Sequence, residues 1–281
     1  MSPEAASLAA SLEQVRARLA AAARRAGRDP STIMLVAVTK GLPAQVVQQA
    51  AALGVTDVGE NRVQEARAKQ EALGWRLEAK GSSFQPPASS LQPVRWHLIG
   101  HLQRNKAREA VERFALIHSV DSAALVDELE QQAATLAQGS RLKAEGKGLQ
   151  PSASSLEPCV AVFIQVNVSG EETKFGCGPH ELTALAQRAH QCAHVRLAGL
   201  MTMAPQAQDP EASRPWFNRL RQLRDELAGT LGIARATLRL SMGMSQDFEV
   251  AIEEGADLVR IGSAIFGARG EGQGARDQQD G

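Results

Sequence analysis

The chain has 281 residues, 43% of them hydrophobic, and its 31 basic and 31 acidic side chains balance to a formal net charge of zero. That length buries a full core either as one large α/β barrel or as two smaller domains, and the balanced charge leaves no global field for nucleic acid or an anionic membrane. No stretch approaches the ~20 apolar residues of a membrane span, no signal pattern opens the chain, and the three cysteines (Cys159, Cys177 and Cys192) form no C-x-x-C pair, so a soluble, cytoplasmic protein is expected.

Leu8, Leu12, Val15 and Leu19 recur at helical spacing among Glu4, Glu13, Arg16 and Arg18, which predicts an amphipathic helix over 4–26. The apolar run Ile33-Met-Leu-Val-Ala-Val-Thr-Lys40 then reads as a strand buried on both faces, as in a parallel sheet covered by helices. From there the pattern alternates. A helix over 43–53 is followed by a strand over 55–58, a helix over 60–73, a strand over 94–99 and a helix from Leu102. Next come a strand over 115–120, a helix over 122–137, a strand over 159–168 and a helix from Pro179. Strands over 195–201, 236–241 and 257–261 complete the series, with helices starting at Pro215 and Ser245 between them. Eight strand-helix units predict a single closed (β/α)8 TIM-type barrel. An open doubly wound sheet is the alternative, but no G-x-G-x-x-G turn follows the first strand.

Two near-copies interrupt the alternation, Phe84-Gln-Pro-Pro-Ala-Ser-Ser-Leu-Gln-Pro93 and Leu149-Gln-Pro-Ser-Ala-Ser-Ser-Leu-Glu-Pro158. Pro- and Ser-rich sequence of this kind cannot pack a core, so surface insertions are predicted near 79–93 and 139–158, within a barrel spanning 1–268. Both fall in helix-to-strand connections, on the face away from a barrel's chemistry. The polar residues 269–281 are expected to be a disordered tail.

Lys40 stands at the exit of the first strand and, by the period of two, shares a face with Val36 and Val38. It therefore points toward the barrel axis at the end where such folds carry their sites. An amine that is partly desolvated there can attack an aldehyde, although a solitary strand-end lysine is more often one that merely snorkels. The turns after strands seven and eight, Ser241-Met-Gly243-Met-Ser245 and Arg260-Ile-Gly262-Ser263, occupy the positions where barrels commonly hold a phosphate. Gly243 and Gly262 allow close backbone approach, Ser241 and Ser263 add hydroxyls, and Ser245 reads as the N-cap of the next helix. An imine-forming lysine beside a phosphate cradle describes a pyridoxal 5′-phosphate site. Arg260 could then hydrogen-bond the pyridine nitrogen and, being always protonated, leave that nitrogen neutral and the ring a poor electron sink. A strand-end ion pair is the alternative role for Arg260.

Several segments together resemble the pyridoxal phosphate homeostasis proteins: Val38-Thr-Lys40, Gly59-Glu-Asn-Arg-Val-Gln-Glu65, Trp96-His-Leu-Ile-Gly-His-Leu-Gln-Arg-Asn-Lys106, His118-Ser-Val-Asp-Ser122, Leu240-Ser-Met-Gly-Met-Ser-Gln-Asp-Phe248 and Val259-Arg-Ile-Gly-Ser-Ala-Ile-Phe-Gly267. The resemblance spans nearly the whole chain apart from the insertions and the tail. It implies a single-domain barrel similar to the N-terminal domain of bacterial alanine racemase, holding pyridoxal 5′-phosphate as an imine without an established turnover. Carried over, Lys40 matches the imine lysine, Asn61 a contact near the ring, Arg260 the partner of the pyridine nitrogen, and Ser241, Gly243, Gly262 and Ser263 the phosphate loops. Arg62 stands where many members have tyrosine and Ser263 where many have threonine. Lys174 corresponds to a proposed second aldehyde-accepting lysine, though a solvated loop lysine is the commoner reading.

The remaining polar motifs admit blander readings. His97 and His101 are separated by a strand end and Gly100, which argues against a metal pair. Arg104, Lys106, Arg108 and Arg113 read as a solvated helix face, Glu60 and Glu65 as helix solvation or substrate polarisers, and Met201 and Thr202 as ring-pocket lining or core. The function implied is a carrier that keeps pyridoxal phosphate, balances vitamin B6 and amino and keto acids, and passes the cofactor to apo-enzymes. An amino-acid racemase and a cofactor-free aldolase acting through Lys40 are the competing readings. Racemases of the similar fold add a tyrosine from a C-terminal β-domain of the partner subunit. This chain has no tyrosine, ends soon after the eighth unit and is expected to be a monomer that does not racemise.

Overall fold

A computed structural model of the chain describes residues 3–74, 94–145, 160–171 and 173–267. Eight strands run in chain order around a closed barrel: β1 Met34–Val38, β2 Asp57–Glu60, β3 Arg95–Leu98, β4 Leu116–Val120, β5 Val160–Gln165, β6 Val195–Met201, β7 Arg239–Ser241 and β8 Leu258–Ile261. Every neighbouring pair is parallel, and β1 closes on β8 with Val36 opposite Arg260. The helices are α1 Pro3–Arg25, α2 Ala44–Ala52, α3 Val63–Ala72, α4 Ala107–Arg113, α5 Ala123–Glu145, α6 Leu182–His190, α7 Arg214–Leu231, α8 Phe248–Glu253 and the single turn α9 Ser263–Phe266.

The near-continuous apolar strands follow from burial on two faces. Along β8, Val259 and Ile261 pack toward the helices while Leu258 turns inward, so successive residues serve two separate cores. The inner core is small, with Val36, Leu116, Ala161, Phe163, Ala198, Met201 and Leu258, and it fills the barrel rather than leaving a pore. The outer core between strands and helices is far larger.

The amphipathic spacing at the start of the chain produces α1, with Leu8, Leu12, Val15, Leu19, Ala22 and Ala23 buried. It packs on α8, to which Arg18 and Arg25 reach as ion pairs with Glu249 and Glu253. Arg28, just beyond, donates to the carbonyls of Ile252 and Ala256 and pairs with Asp257, satisfying acceptors at the end of α8.

Several boundaries differ from the sequence reading. β2 is shifted to 57–60, because Glu60 is a buried strand residue paired with Lys69 rather than the solvated start of a helix. α3 accordingly starts at Val63. The helix expected from Leu102 begins as a single 3-10 turn at Arg104, and β7 is shortened by another over Arg235–Thr237. α5 runs to Glu145, so residues 139–145, the first part of the segment predicted as an insertion, are helical. The repeat 84–93, its near-copy 149–158 and the tail 269–281 lie outside the described residues.

Candidate functional site

At the C-terminal ends of the strands a cavity of about 640 Å3 opens, within the size range of small-molecule sites. Its walls follow the inward line of the pleat: Val38 from β1 and Lys40 beyond it, Asn61 beyond β2, Ile99 beyond β3, Gln165 from β5 and Arg260 from β8. Met244, Ser245 and Gln246 after β7, and Gly262 and Ser263 after β8, form another side. Residues 203–207 after β6, and Phe175 in the loop after β5, line it as well.

Lys40 lies two residues beyond β1 and is half-buried. The turn that carries it is clamped from below by a buried ionic cluster. Lys69 Nζ donates to the Thr39 carbonyl at 2.7 Å, to Glu60 Oε1 at 2.7 Å and to Glu65 Oε1 at 2.8 Å. Thr39 Oγ1 donates to Glu60 Oε1 at 2.5 Å, and the Gly41 N–H donates to Glu65. Burial pushes the Glu60 carboxyl above its usual range and outweighs the opposing Lys69 charge. Glu60 and Glu65 are therefore struts of the Lys40 turn, and neither lines the cavity.

Arg260 is 4% exposed. Its Nη1 donates to Ser241 Oγ at 2.7 Å and its Nη2 to the Thr202 carbonyl at 2.9 Å. Burial lowers its pKa to about 10, with Asp247 opposing, so it stays a cation at neutral pH. A guanidinium has five N–H donors in one plane, and two bonds pin that plane at the cavity wall.

Ser241 and Gly243 stand elsewhere than the sequence reading put them. Ser241 is fully buried beneath Arg260, its oxygen committed to that guanidinium and to His118 Nδ1 at 2.8 Å, and it does not line the cavity. Gly243, at φ 90°, serves close packing: a Cβ there would lie 2.5 Å from Ala251 Cβ and 3.0 Å from Phe248 Cα. Ser245 is not the N-cap of α8, a position held by Asp247. Its hydroxyl instead accepts from the Gly262 and Ala264 N–H groups, both at 3.2 Å, joining the two turns expected to hold an anion. Asp247 fixes the first turn by accepting from the Met244 N–H and from the Ser213 hydroxyl. Asn61, Gly262 and Ser263 do line the cavity.

The other polar motifs also separate. His97 lies inside the barrel, whereas His101 is at the cavity rim, stacked on Phe175 with ring centroids 4.2 Å apart. Among the described residues no group of three or more His, Cys, Asp or Glu side chains is placed to hold a metal. Lys174 pairs with Glu171 at 3.1 Å in the loop after β5, beside the lining residue Phe175. Met201 belongs to the inner core, and Thr202 contributes its carbonyl to Arg260. Arg108 and Arg113 pair with Glu112 and Glu109 along α4.

The sequence reading missed a buried polar row that crosses the barrel: Asp57 on β2, His97 on β3, His118 on β4 and Ser241 on β7, ending at Arg260. The signal was present as polar residues on the inward face of otherwise apolar strands. Read strand by strand, however, it gives no hint that they meet.

The sequence profile of the alanine racemase N-terminal domain family matches residues 10–270. The chain is 40% identical over 265 residues to the pyridoxal phosphate homeostasis protein of Pseudomonas aeruginosa, covering 94% of this chain and 97% of that one. It is 36% identical over 265 residues to the human protein of the same name, covering 92% and 85%. Among solved structures, PipY of Synechococcus elongatus with PLP bound superposes with a TM-score of 0.70 at 32% identity, over 92% of this chain and all of that one. The chain belongs to the alanine racemase N-terminal domain family, and within it to the pyridoxal phosphate homeostasis proteins.

Proposed function

We propose that this protein binds pyridoxal 5′-phosphate in the cavity at the C-terminal mouth and keeps it available to the cell without turning over a substrate on it. The observation that carries this reading is the convergence of Lys40 from the first strand and Arg260 from the last on one cavity, beside the Gly262–Ser263 turn. The cofactor supplies an aldehyde, a pyridine nitrogen and a phosphate, and the chain has a group for each. Lys40 is the amine for the aldehyde, held by the Thr39–Glu60–Lys69 clamp beneath its turn. Arg260 is the donor for the ring nitrogen, and Asn61 borders the ring. The Gly262 and Ala264 amides, now bonded to Ser245, and the Ser263 hydroxyl are the donors for the phosphate. The Ser241 and Gly243 roles are indirect, through Arg260 and through packing of the first turn.

The same residues argue for storage over catalysis. Arg260 remains protonated and can only donate, so a ring nitrogen facing it stays unprotonated and withdraws few electrons. Racemisation also needs an acid on the face opposite the lysine, and the sequence contains no tyrosine to supply it. A cytoplasmic monomer that hands the cofactor to apo-enzymes is the role this reading assigns. The test is titration with pyridoxal phosphate, borohydride reduction and peptide mapping. A single adduct on Lys40, lost in Lys40→Ala, is expected, whereas an adduct on Lys174 with Lys40 unmodified would refute the site.

A further inference from the structure

Asp57 lies at the opposite mouth of the barrel from the proposed cofactor cavity, where it lines a second cavity of about 510 Å3 with Arg95 and Arg239. Arg95 and Thr56 hold its carboxylate, with contacts of 2.9 and 2.7 Å. From there an unbroken row of hydrogen bonds leads inward. Asp57 Oδ1 is 2.8 Å from His97 Nε2, His97 Nδ1 is 2.9 Å from His118 Nε2, and His118 Nδ1 is 2.8 Å from Ser241 Oγ. Ser241 Oγ in turn accepts from Arg260 Nη1 at 2.7 Å. Both histidines are fully buried, and His118 is stacked on Phe163 with centroids 4.7 Å apart.

The ends of this row fix the direction of every proton in it. A carboxylate only accepts, so His97 presents its Nε2–H to Asp57. Burial lowers the pKa of His97, and more strongly that of His118, so both rings are neutral and each has one bare nitrogen. His97 Nδ1 therefore accepts from His118 Nε2–H, and His118 Nδ1 accepts from the Ser241 hydroxyl. That leaves the serine lone pairs facing Arg260, which can only donate. Reversing the row would point two donors at the Ser241 oxygen and direct its proton elsewhere.

We propose that Asp57, His97 and His118 are positioning residues for Arg260, which set from the far mouth of the barrel the angle and strength with which its guanidinium addresses the pyridine ring of the bound cofactor. The inference rests on the pyridoxal phosphate reading above. None of the three touches the cofactor cavity. Their effect passes through Ser241, whose orientation they determine.

The test uses the full chain and compares Asp57→Asn, His118→Phe, Ser241→Ala and Arg260→Gln with the parent, each checked for folding by circular dichroism. Affinity for pyridoxal phosphate and the visible absorption spectrum at saturation are measured for each. Asp57→Asn is nearly isosteric and serves as the remote probe should His118→Phe not fold. Phe217→Leu, a core change outside the barrel lumen, is the control for lost stability alone. Expected are a shifted absorption band and an affinity about tenfold weaker in the relay variants, in the same direction as in Arg260→Gln, with the Phe217→Leu spectrum unchanged. A parental spectrum and affinity in folded Asp57→Asn and Ser241→Ala, with Arg260→Gln altered, would overturn the relay while leaving the cofactor site standing. A parental spectrum in Arg260→Gln would remove the ring-nitrogen assignment and the relay with it. Absence of any binding by the parent would refute the pyridoxal phosphate reading itself.

Discussion

Asp57 shows how a single buried carboxyl makes stability depend on pH. Burial alone would raise its pKa, but the hydrogen bonds from His97 and Arg95 outweigh burial and bring it down from 3.8 to about 2. Because the folded pKa lies below the unfolded one, its contribution is fully present above pH 3.8 and is lost as the pH falls through 2. The parent is expected to lose about 2 kcal/mol relative to Asp57→Asn across that window, read from urea midpoints at successive pH values. At the other mouth, the amides and hydroxyl after β8 lead to a different expectation. Pyridoxal without its phosphate leaves several charge-assisted hydrogen bonds unmade and should bind on the order of 100-fold more weakly than the phosphorylated form. Equal affinities in a competition titration would move the anion away from Gly262 and Ser263.

Among the elements, α1 stands outside the eight strand-helix units, yet it is built into the core. Leu12 is 1% exposed and sits mid-stripe, while Arg18 and Arg25 tie the same helix to α8. Half-exposed ion pairs of this kind contribute little, so the apolar stripe carries the attachment. Leu12→Ala is expected to destabilise the protein by about 2–5 kcal/mol in denaturant unfolding, whereas Arg25→Ala should cost under about 1 kcal/mol. Since α8 follows the turn that carries Met244 and Ser245, loosening α1 should also weaken cofactor binding. The period of α1 was legible because one face is apolar from Leu8 to Ala23, about four turns. The start of α8 was not, because Ser245 reads as an N-cap until the turn after β8 supplies amides that take its hydroxyl.

At the scale of the whole molecule, closure of the barrel brings β1 beside β8 and sets Lys40 and Arg260 around one cavity. That arrangement offers an amine and a permanent cation, and no tyrosine exists in the sequence to serve as a second acid. Exchange of the α-proton of alanine or serine in deuterated water is therefore expected to be slow and without inversion in the loaded protein. Rapid exchange with inversion, abolished in Lys40→Ala, would make this protein a racemase.

The sequence by itself determined the strand count, the alternation with helices, the inward direction of Lys40 and the two glycine-serine turns, because each is written in a local period or a turn residue. It misplaced the edges of β2 and α3, where a buried ion pair between Glu60 and Lys69 overrides the polarity that marks a solvated helix start. Only the tertiary structure decided that Ser241 serves Arg260 and does not line the cavity, and that Asp57, His97 and His118 join it in one row. Those partners come from five strands up to 203 positions apart. A period of two reports which way a side chain points, but what it meets at the barrel axis is set by the register of every strand at closure.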